Sequence, residues 1–280
     1  MNTNLIRREV ERVTKEASFN LREDVLKCIR KAYKNERNRK AKLALGWIIE
    51  NADIAKKERI AICQDTGFPM VFIEAGLDSG FLGRTVRAVT EAVEEAYKKN
   101  YLRASLVNPL QRKKPGYGPV LTHVEFNNKL KGLKITVFPK GFGSENKSRL
   151  KMFNPTADWR KIEDFILDAV KKAGPEACPP YIIGVGIGGS CDYSLLLAKK
   201  ALIDKIDEPN ADKSLSRLED RLLKKVNALR IGPMGLGGST TALAVKIRTH
   251  PTHIAGYPVG VNISCWALRS ATVKIPDARF

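Results

Sequence analysis

Residues 61–76 read AICQDTGFPMVFIEAG, and this stretch decides the fold because the pattern of the chain changes there. Before it, apolar residues recur at helical spacing, as they do in the segment 20–35. Inside it, a cysteine, an acid and a glycine-containing turn precede the apolar run MVFIEA, which is typical of a buried strand. The sequence therefore predicts N-terminal helices over residues 1–60, followed by an α/β part over residues 61–280.

Strand and loop patterns continue beyond that stretch. GPVLTHVEF (118–126) and LKITVFP (133–139) alternate apolar and polar residues, and the turn between them predicts a pair of antiparallel strands. YIIGVGI (181–187) is typical of a buried strand, and PKGFGSENKS (139–148) of a glycine-rich loop. The chain shows no internal repeat and no low-complexity linker. These patterns predict a mixed α/β fold with mixed sheets and glycine-rich loops, in a single domain over residues 1–280.

The composition is that of an ordinary globular protein, with 43% hydrophobic and 28% charged residues. No apolar run approaches the roughly 18–20 residues that span a bilayer. The N-terminal segment MNTNLIRREVERV lacks the apolar region of a secretory signal. We therefore expect a cytoplasmic protein without a membrane partner.

The chain is strongly basic, with 49 lysines and arginines against 30 acids and a formal charge of +19. Such a charge suits a nucleic acid, an anionic substrate or an acidic partner subunit. The basic residues are spread through helical patterns, and they form no stripe punctuated by aromatic residues and no zinc-finger signature. A solvated basic face is the favoured interpretation, and a nucleic-acid-binding protein is the non-enzyme alternative.

The cysteines are spaced so as to exclude a zinc ribbon and a compact ferredoxin motif, since no CxxC pair occurs. Cys28 lies beside a helical apolar stripe, so packing in the core is its expected role. Three others stand beside turn-forming or small residues at the edges of predicted elements: Cys63, Cys178 and Cys265. Three thiolates from separate loops can hold a [4Fe–4S] cluster and leave one iron open as a Lewis acid.

Several short motifs of the sequence resemble those of one known family. CQDTG (63–67), PKGFGSENKS (139–148), ACPPY (177–181) and HIAGYPVGVNISC (253–265) resemble the N-terminal, cluster-binding domain of class I fumarases, and they stand in the family's order. The α subunit of L-tartrate dehydratase shares much of this pattern. The chain resembles the separately encoded α subunit of the two-subunit form, so the resemblance implies a β subunit that carries the rest of the site, in an α2β2 assembly.

The resemblance also implies roles for individual residues. Cys63, Cys178 and Cys265 would bind a [4Fe–4S] cluster, whereas Cys191, in GGSCDYS, is interpreted as a non-ligand. Among catalytic residues, Asp65 would carry a proton and His253 would be the active-site histidine, in preference to His250 one turn away. The implied contacts to the substrate are Gln64, the guanidinium of Arg103 and the backbone N–H of Gly143.

By this resemblance the reaction is reversible hydration of fumarate to L-malate, with the open iron as Lewis acid. Dehydration of L-tartrate or another hydroxy-diacid is the alternative. A dinucleotide site is a further alternative, because Gly184, Gly186 and Gly189 form G-x-G-x-x-G after a predicted strand. The segment 202–214, where a second strand ending in an acid is needed, is polar and contains a proline, so this alternative is disfavoured.

Overall fold

A computed structural model describes residues 2–77, 79 and 83–276 of the chain. The helices are α1 (Thr3–Phe19), α2 (Glu23–Asn35), α3 (Arg39–Glu58), α4 (Gly83–Lys99), α5 (Phe142–Glu145), α6 (Trp159–Ala173), α7 (Cys191–Ala201) and α8 (Lys213–Asn227). The strands are β1 (Phe68–Ala75), β2 (Leu121–Phe126), β3 (Leu133–Lys140), β4 (Arg149–Phe153), β5 (Tyr181–Gly188), β6 (Ala242–His250), β7 (Tyr257–Ser264) and β8 (Ala271–Ile275). N-terminal helices followed by an α/β part confirm the predicted fold class.

The described residues divide into two compact units, each built from separate stretches of the chain. The first unit comprises Met1–Arg22, Ile54–Lys140 and Arg269–Phe280, and the second comprises Glu23–Asp53 and Gly141–Leu268. The prediction of a single domain stays a prediction. In the part of the chain that is described, no helix is both long and apolar enough to cross a membrane.

The first unit contains a four-stranded sheet with the order β2-β1-β3-β8. β1 runs parallel to β2 and antiparallel to β3, so the sheet is mixed, as predicted. α1 and α4 pack together, and their apolar faces join the strands in one buried core. A helix face of this kind is stabilised mainly by the apolar area that it removes from water.

The predicted pairing of the segments 118–126 and 133–139 is wrong. Both form strands, β2 and β3, but β1 lies between them and pairs with each. β1 is buried along nearly all its length, which suits a central strand, whereas β2 exposes Leu121, Val124 and Phe126 and suits an edge. Local alternation therefore identified the strands but not their neighbours.

The second unit contains a sheet with the order β4-β7-β5-β6, in which β5 runs parallel to β6 and antiparallel to β7. Tyr181, Ile183 and Val185 of β5 belong to the core formed with α6 and α8. Side chains alternate along a strand, so the intervening residues face the other side of the sheet, where α7 packs.

The glycines considered for a dinucleotide site serve this packing of α7. A Cβ atom on Gly184 would lie 2.0 Å from the carbonyl oxygen of Ala198, and one on Gly186 would lie 2.0 Å from that of Ser194. A Cβ on Gly260 of β7 would lie 2.7 Å from the same Ser194 oxygen. The segment 202–212 contains turns and no strand, so the dinucleotide fold is not formed.

Candidate active site

The turn Cys63–Gly67 leads from α3 into β1, and it presents the first group of predicted site residues. Gln64 is exposed, Cys63 and Asp65 are half-buried, and Thr66 is buried. The Oδ1 atom of Asp65 accepts the N–H of Gly67 at 3.0 Å, which closes an Asx-type turn. Gly67 has φ +87°, and a Cβ there would lie 2.6 Å from the carbonyl carbon of Pro139, so only glycine fits.

Two buried side chains donate hydrogen bonds to main-chain carbonyl oxygens of this turn. The hydroxyl of Tyr97 lies 3.1 Å from the carbonyl oxygen of Thr66 and 3.3 Å from that of Gly67. The Nη2 atom of Arg269 donates to the carbonyl oxygen of Asp65 at 2.9 Å. Burial raises the pKa of Tyr97 above its ordinary value, so the hydroxyl remains protonated and able to donate.

Arg103 is tied to the same turn through its main chain. Its backbone N–H donates to the hydroxyl oxygen of Thr66 at 3.0 Å, while its side chain is exposed. The structure therefore brings Gln64, Asp65 and Arg103 together within the first unit. A carboxyl group, which can exchange a proton, and a guanidinium, which can bind an anion, are therefore carried by segments that are hydrogen-bonded to each other.

In the second unit the structure brings Cys178 and Cys265 together. The N–H of Trp266 donates to the carbonyl oxygen of Cys178 at 3.2 Å, so the two segments are in direct contact. Burial raises the pKa of Tyr181, and the charges of Cys178 and Cys265 raise it further. Cys178 has φ +54°, a conformation that is uncommon outside glycine and that recurs at functional sites.

The loop that contains Gly143 is fixed by a polar network. Glu145 of α5 accepts from the Nζ of Lys199 at 2.5 Å and from the Nδ2 of Asn262 at 2.9 Å. Nδ2 of Asn262 also lies 2.8 Å from the hydroxyl oxygen of Ser148. Gly143 itself is exposed, and a Cβ built on it would meet no described atom within 4 Å. Packing within the chain therefore does not require glycine at this position, whereas close approach of a ligand would.

The two candidate histidines are both exposed, and they hold their protons differently. Nδ1 of His253 accepts the N–H of Ala255 at 3.1 Å, so neutral His253 carries its proton on Nε2. Nδ1 of His250 lies 2.8 Å from the carbonyl oxygen of Pro251 and must donate to it, which leaves Nε2 as the acceptor. The ring of His250 also packs edge-on to Tyr193 at 5.0 Å between centroids. Neutral His253 thus has a free donor at Nε2. In His250, by contrast, Nδ1–H is bonded to Pro251 and the ring packs against Tyr193.

None of the five cysteines, all of which lie in the described part of the chain, forms a disulfide. Cys28 is half-buried and burial raises its pKa, which suits packing, and Cys191 is exposed at the start of α7. Among residues 2–77, 79 and 83–276, no three Cys, His, Asp or Glu side chains converge as a metal site. Cys63 belongs to the first unit, and the pair Cys178 and Cys265 belongs to the second.

The predicted ligands nevertheless fit an iron–sulfur cluster by their chemistry. Thiolates are the ligands that such clusters take, and the segments that carry Cys178 and Cys265 are hydrogen-bonded to each other. The third, Cys63, begins a turn whose main chain is braced by the buried cation of Arg269. A cluster with its thiolates is anionic, so a nearby cation suits it.

Sequence reasoning missed the residues that support the site: Tyr97, Glu145, Asn262 and Arg269. Asn262 stands in the word 253–265 and Arg269 four residues after Cys265, so proximity to the motifs was a usable signal for both. Tyr97 gave no such signal, because its hydroxyl contact lies 31 residues away in the chain.

Comparison with known proteins gives concordant matches along nearly the whole chain. The sequence profile of the fumarate hydratase (fumerase) family matches residues 7–274. A Methanocaldococcus jannaschii protein, provisionally named an L(+)-tartrate dehydratase subunit alpha, is 42% identical over 93% of this chain and 94% of its own length. A Geobacillus stearothermophilus protein, provisionally named a class I fumarate hydratase, is 32% identical over 93% of this chain and 53% of its own length. The L(+)-tartrate dehydratase subunit alpha of Escherichia coli K12 is 28% identical over 92% of this chain and 86% of its own length.

Proposed function

Because this chain belongs to the fumarate hydratase family, a family of hydro-lyases, we propose that it is the α subunit of an enzyme that reversibly hydrates fumarate to L-malate. The family match confirms the resemblance that the sequence motifs indicated. The observation that carries the proposal is the braced turn of the first unit, which presents Gln64 and Asp65 and is hydrogen-bonded to Arg103. These are the residue types that bind a carboxylate and move a proton.

The proposed cofactor is a [4Fe–4S] cluster held by Cys63, Cys178 and Cys265. When bound, the cluster supplies Lewis acidity for the departure of a hydroxyl group as water. Cys28 and Cys191 have no part in this assignment. The protein's own residues hold the diacid and handle its protons.

The contacts of each remaining residue support a distinct role toward the diacid. Arg103 binds one carboxylate through two parallel N–H···O bonds, and the backbone N–H of Gly143 donates to an oxygen of the substrate. Asp65, oriented by the N–H of Gly67, carries a proton. His253, with its proton on Nε2, donates outward and orients an anionic group.

A separately encoded β subunit is the proposed partner. The relatives of M. jannaschii and E. coli are named as alpha subunits, which implies a second chain in those proteins. We propose the same division here, with an α2β2 assembly in the cytoplasm and with the base that removes the carbon-bound proton on the β chain. The α chain alone is then inactive.

L-tartrate dehydration is the second candidate, and the names of those same two relatives favour it. The loop 139–148 and the word 177–181 instead resemble fumarase, and the G. stearothermophilus relative carries that name. An anaerobic assay of the co-expressed α and β chains, with fumarate and L-tartrate in parallel, tests the choice. Turnover of fumarate with a kcat/KM well above that for tartrate supports the proposal, and the reverse order replaces it with the second candidate.

Replacing Arg103 with alanine should raise KM in the α–β complex by about 10–100-fold, as expected for loss of a charge-assisted contact of about 1.5–3 kcal/mol. The kcat should change little, because the carboxylate is held in both ground and transition states. Arg103→Lys keeps the charge but loses the two-pronged geometry, so it should recover only part of the affinity. Steady-state kinetics measure both constants.

The matched control for this prediction is Arg87→Ala. Arg87 is also an exposed arginine of the first unit, but it lies on α4. Its KM should remain at the wild-type value. An equal rise of KM in both variants would show that only the general positive potential matters, and would remove Arg103 from the site.

A further inference from the structure

Arg269 is buried without a complete set of partners. Its side chain is 1% exposed. Nη2 donates to the carbonyl oxygen of Asp65 at 2.9 Å, but Nε and Nη1 have no hydrogen-bond partner in the part of the chain that is described. A guanidinium is always charged and carries five N–H donors, so most of its donor capacity is unused here.

An unsatisfied buried cation is costly, and native proteins rarely keep one without a function. Arg269 is not the only group that holds the turn. Tyr97, an uncharged donor, already binds the carbonyl groups of Thr66 and Gly67, and Asp65 closes the turn with its own side chain. A methionine could fill the space of Arg269, yet the chain places a charge beneath the turn that begins at Cys63.

We propose that Arg269 is a positioning residue that holds an anionic iron–sulfur–thiolate group at the Cys63–Asp65 turn by supplying its counter-charge. This inference rests on the proposed function. Nε–H and Nη1–H remain available to an anion, while Nη2 keeps the turn in register. The cluster that Cys63 helps to bind would thus also supply the missing acceptors for Nε–H and Nη1–H of Arg269.

This role predicts opposite effects of one substitution on the two forms of the protein. In the cluster-free full chain, Arg269→Met removes an unsatisfied buried charge, so the thermal midpoint should rise by about 3 °C. In the reconstituted protein the same change should shorten the half-life of the cluster at least tenfold under a chelator, followed by visible absorbance and iron analysis. Arg269→Lys, which keeps the charge, should retain most of the half-life.

Two further variants distinguish the effect of the Arg269 charge from the effect of its hydrogen bond to the turn. Tyr97→Phe removes an uncharged donor from the same turn, so it should lower the thermal midpoint of the cluster-free chain instead of raising it. Arg22→Met removes a half-buried arginine of the first unit whose Nη1 lies 3.4 Å from the hydroxyl of Ser270, and it should leave the cluster half-life unchanged.

Either of two results overturns the inference alone: Arg269→Met lowers the cluster-free midpoint as Tyr97→Phe does, or it holds iron as long as the wild type. If the wild-type chain takes up no iron and sulfide under anaerobic reconstitution, the proposed function fails and the inference fails with it. The wild-type uptake therefore distinguishes the two failures.

Discussion

Serine at any of Cys63, Cys178 or Cys265 is expected to abolish iron binding. The reconstituted wild-type chain should hold about four irons, and each variant close to none, because a serine hydroxyl is a poor ligand for a cluster held by only three thiolates. The side chains are nearly isosteric, so folding should be preserved. Iron and sulfide analysis together with the broad visible absorbance measures the loss, and circular dichroism checks the fold.

Cys28→Ser and Cys191→Ser are the matched controls, and both should keep the full iron content. Cys28 is half-buried on α2, and Cys191 is exposed at the start of α7. If Cys191→Ser loses the cluster and Cys178→Ser retains it, the ligand from this part of the chain is Cys191 and the assignment of Cys178 is wrong.

Asp65→Asn should lower kcat by about 10²–10⁴-fold while the iron content stays at the wild-type level. Asparagine keeps the oxygen that accepts the N–H of Gly67, so the turn should keep its shape and only proton transfer should be lost. Rates measured at saturating substrate in the assembled complex check this. A fall that appears only in KM would make Asp65 a binding residue and leave the proton carrier elsewhere.

The two histidines provide a paired comparison for the same step. In His253→Asn the new amide oxygen can still accept the N–H of Ala255, so the loop is retained and the Nε2 donor is removed. This variant should lose kcat as Asp65→Asn does. His250→Asn should change kcat little. Inactivation by His250→Asn with a working His253→Asn would reverse the assignment.

Much of the fold was predictable because the signals were local. The break at residues 61–76 marked the change from helices to mixed structure, and the run MVFIEA became the buried part of β1. Gly174 ends α6, and a glycine is the usual signal for the end of a helix. The insertion of β1 between β2 and β3 was not predictable from alternation, because β1 precedes both strands in the chain.

The candidate site divides in the same way. The motif words located the residues that present chemistry, such as Asp65 and Cys178. The motifs did not identify Tyr97 and Arg269, whose side chains hold the turn at Asp65, because their burial depends on contacts between distant segments. An arginine at the end of CWALR looks like any surface arginine until packing removes it from water.

The tautomer of His253 was equally out of reach of the sequence. The pattern H-x-x-x-x-P-V-G-x-x-x-S-C marked the residue, but the ring orientation depends on the backbone of the loop that follows it. Only the contact between Nδ1 and the N–H of Ala255 decides which nitrogen carries the proton.

The interleaving of the two units also bears on the order in which the chain can fold on the ribosome. The second unit ends at Leu268, so all its strands have been synthesised before β8 (Ala271–Ile275) emerges to pair with β3. Until then β3, with its buried residues Ile135 and Val137, is an open edge of the first sheet. Such an edge can pair with another chain, so a chain released before residue 271 carries the whole of the second unit and a first unit exposed to aggregation.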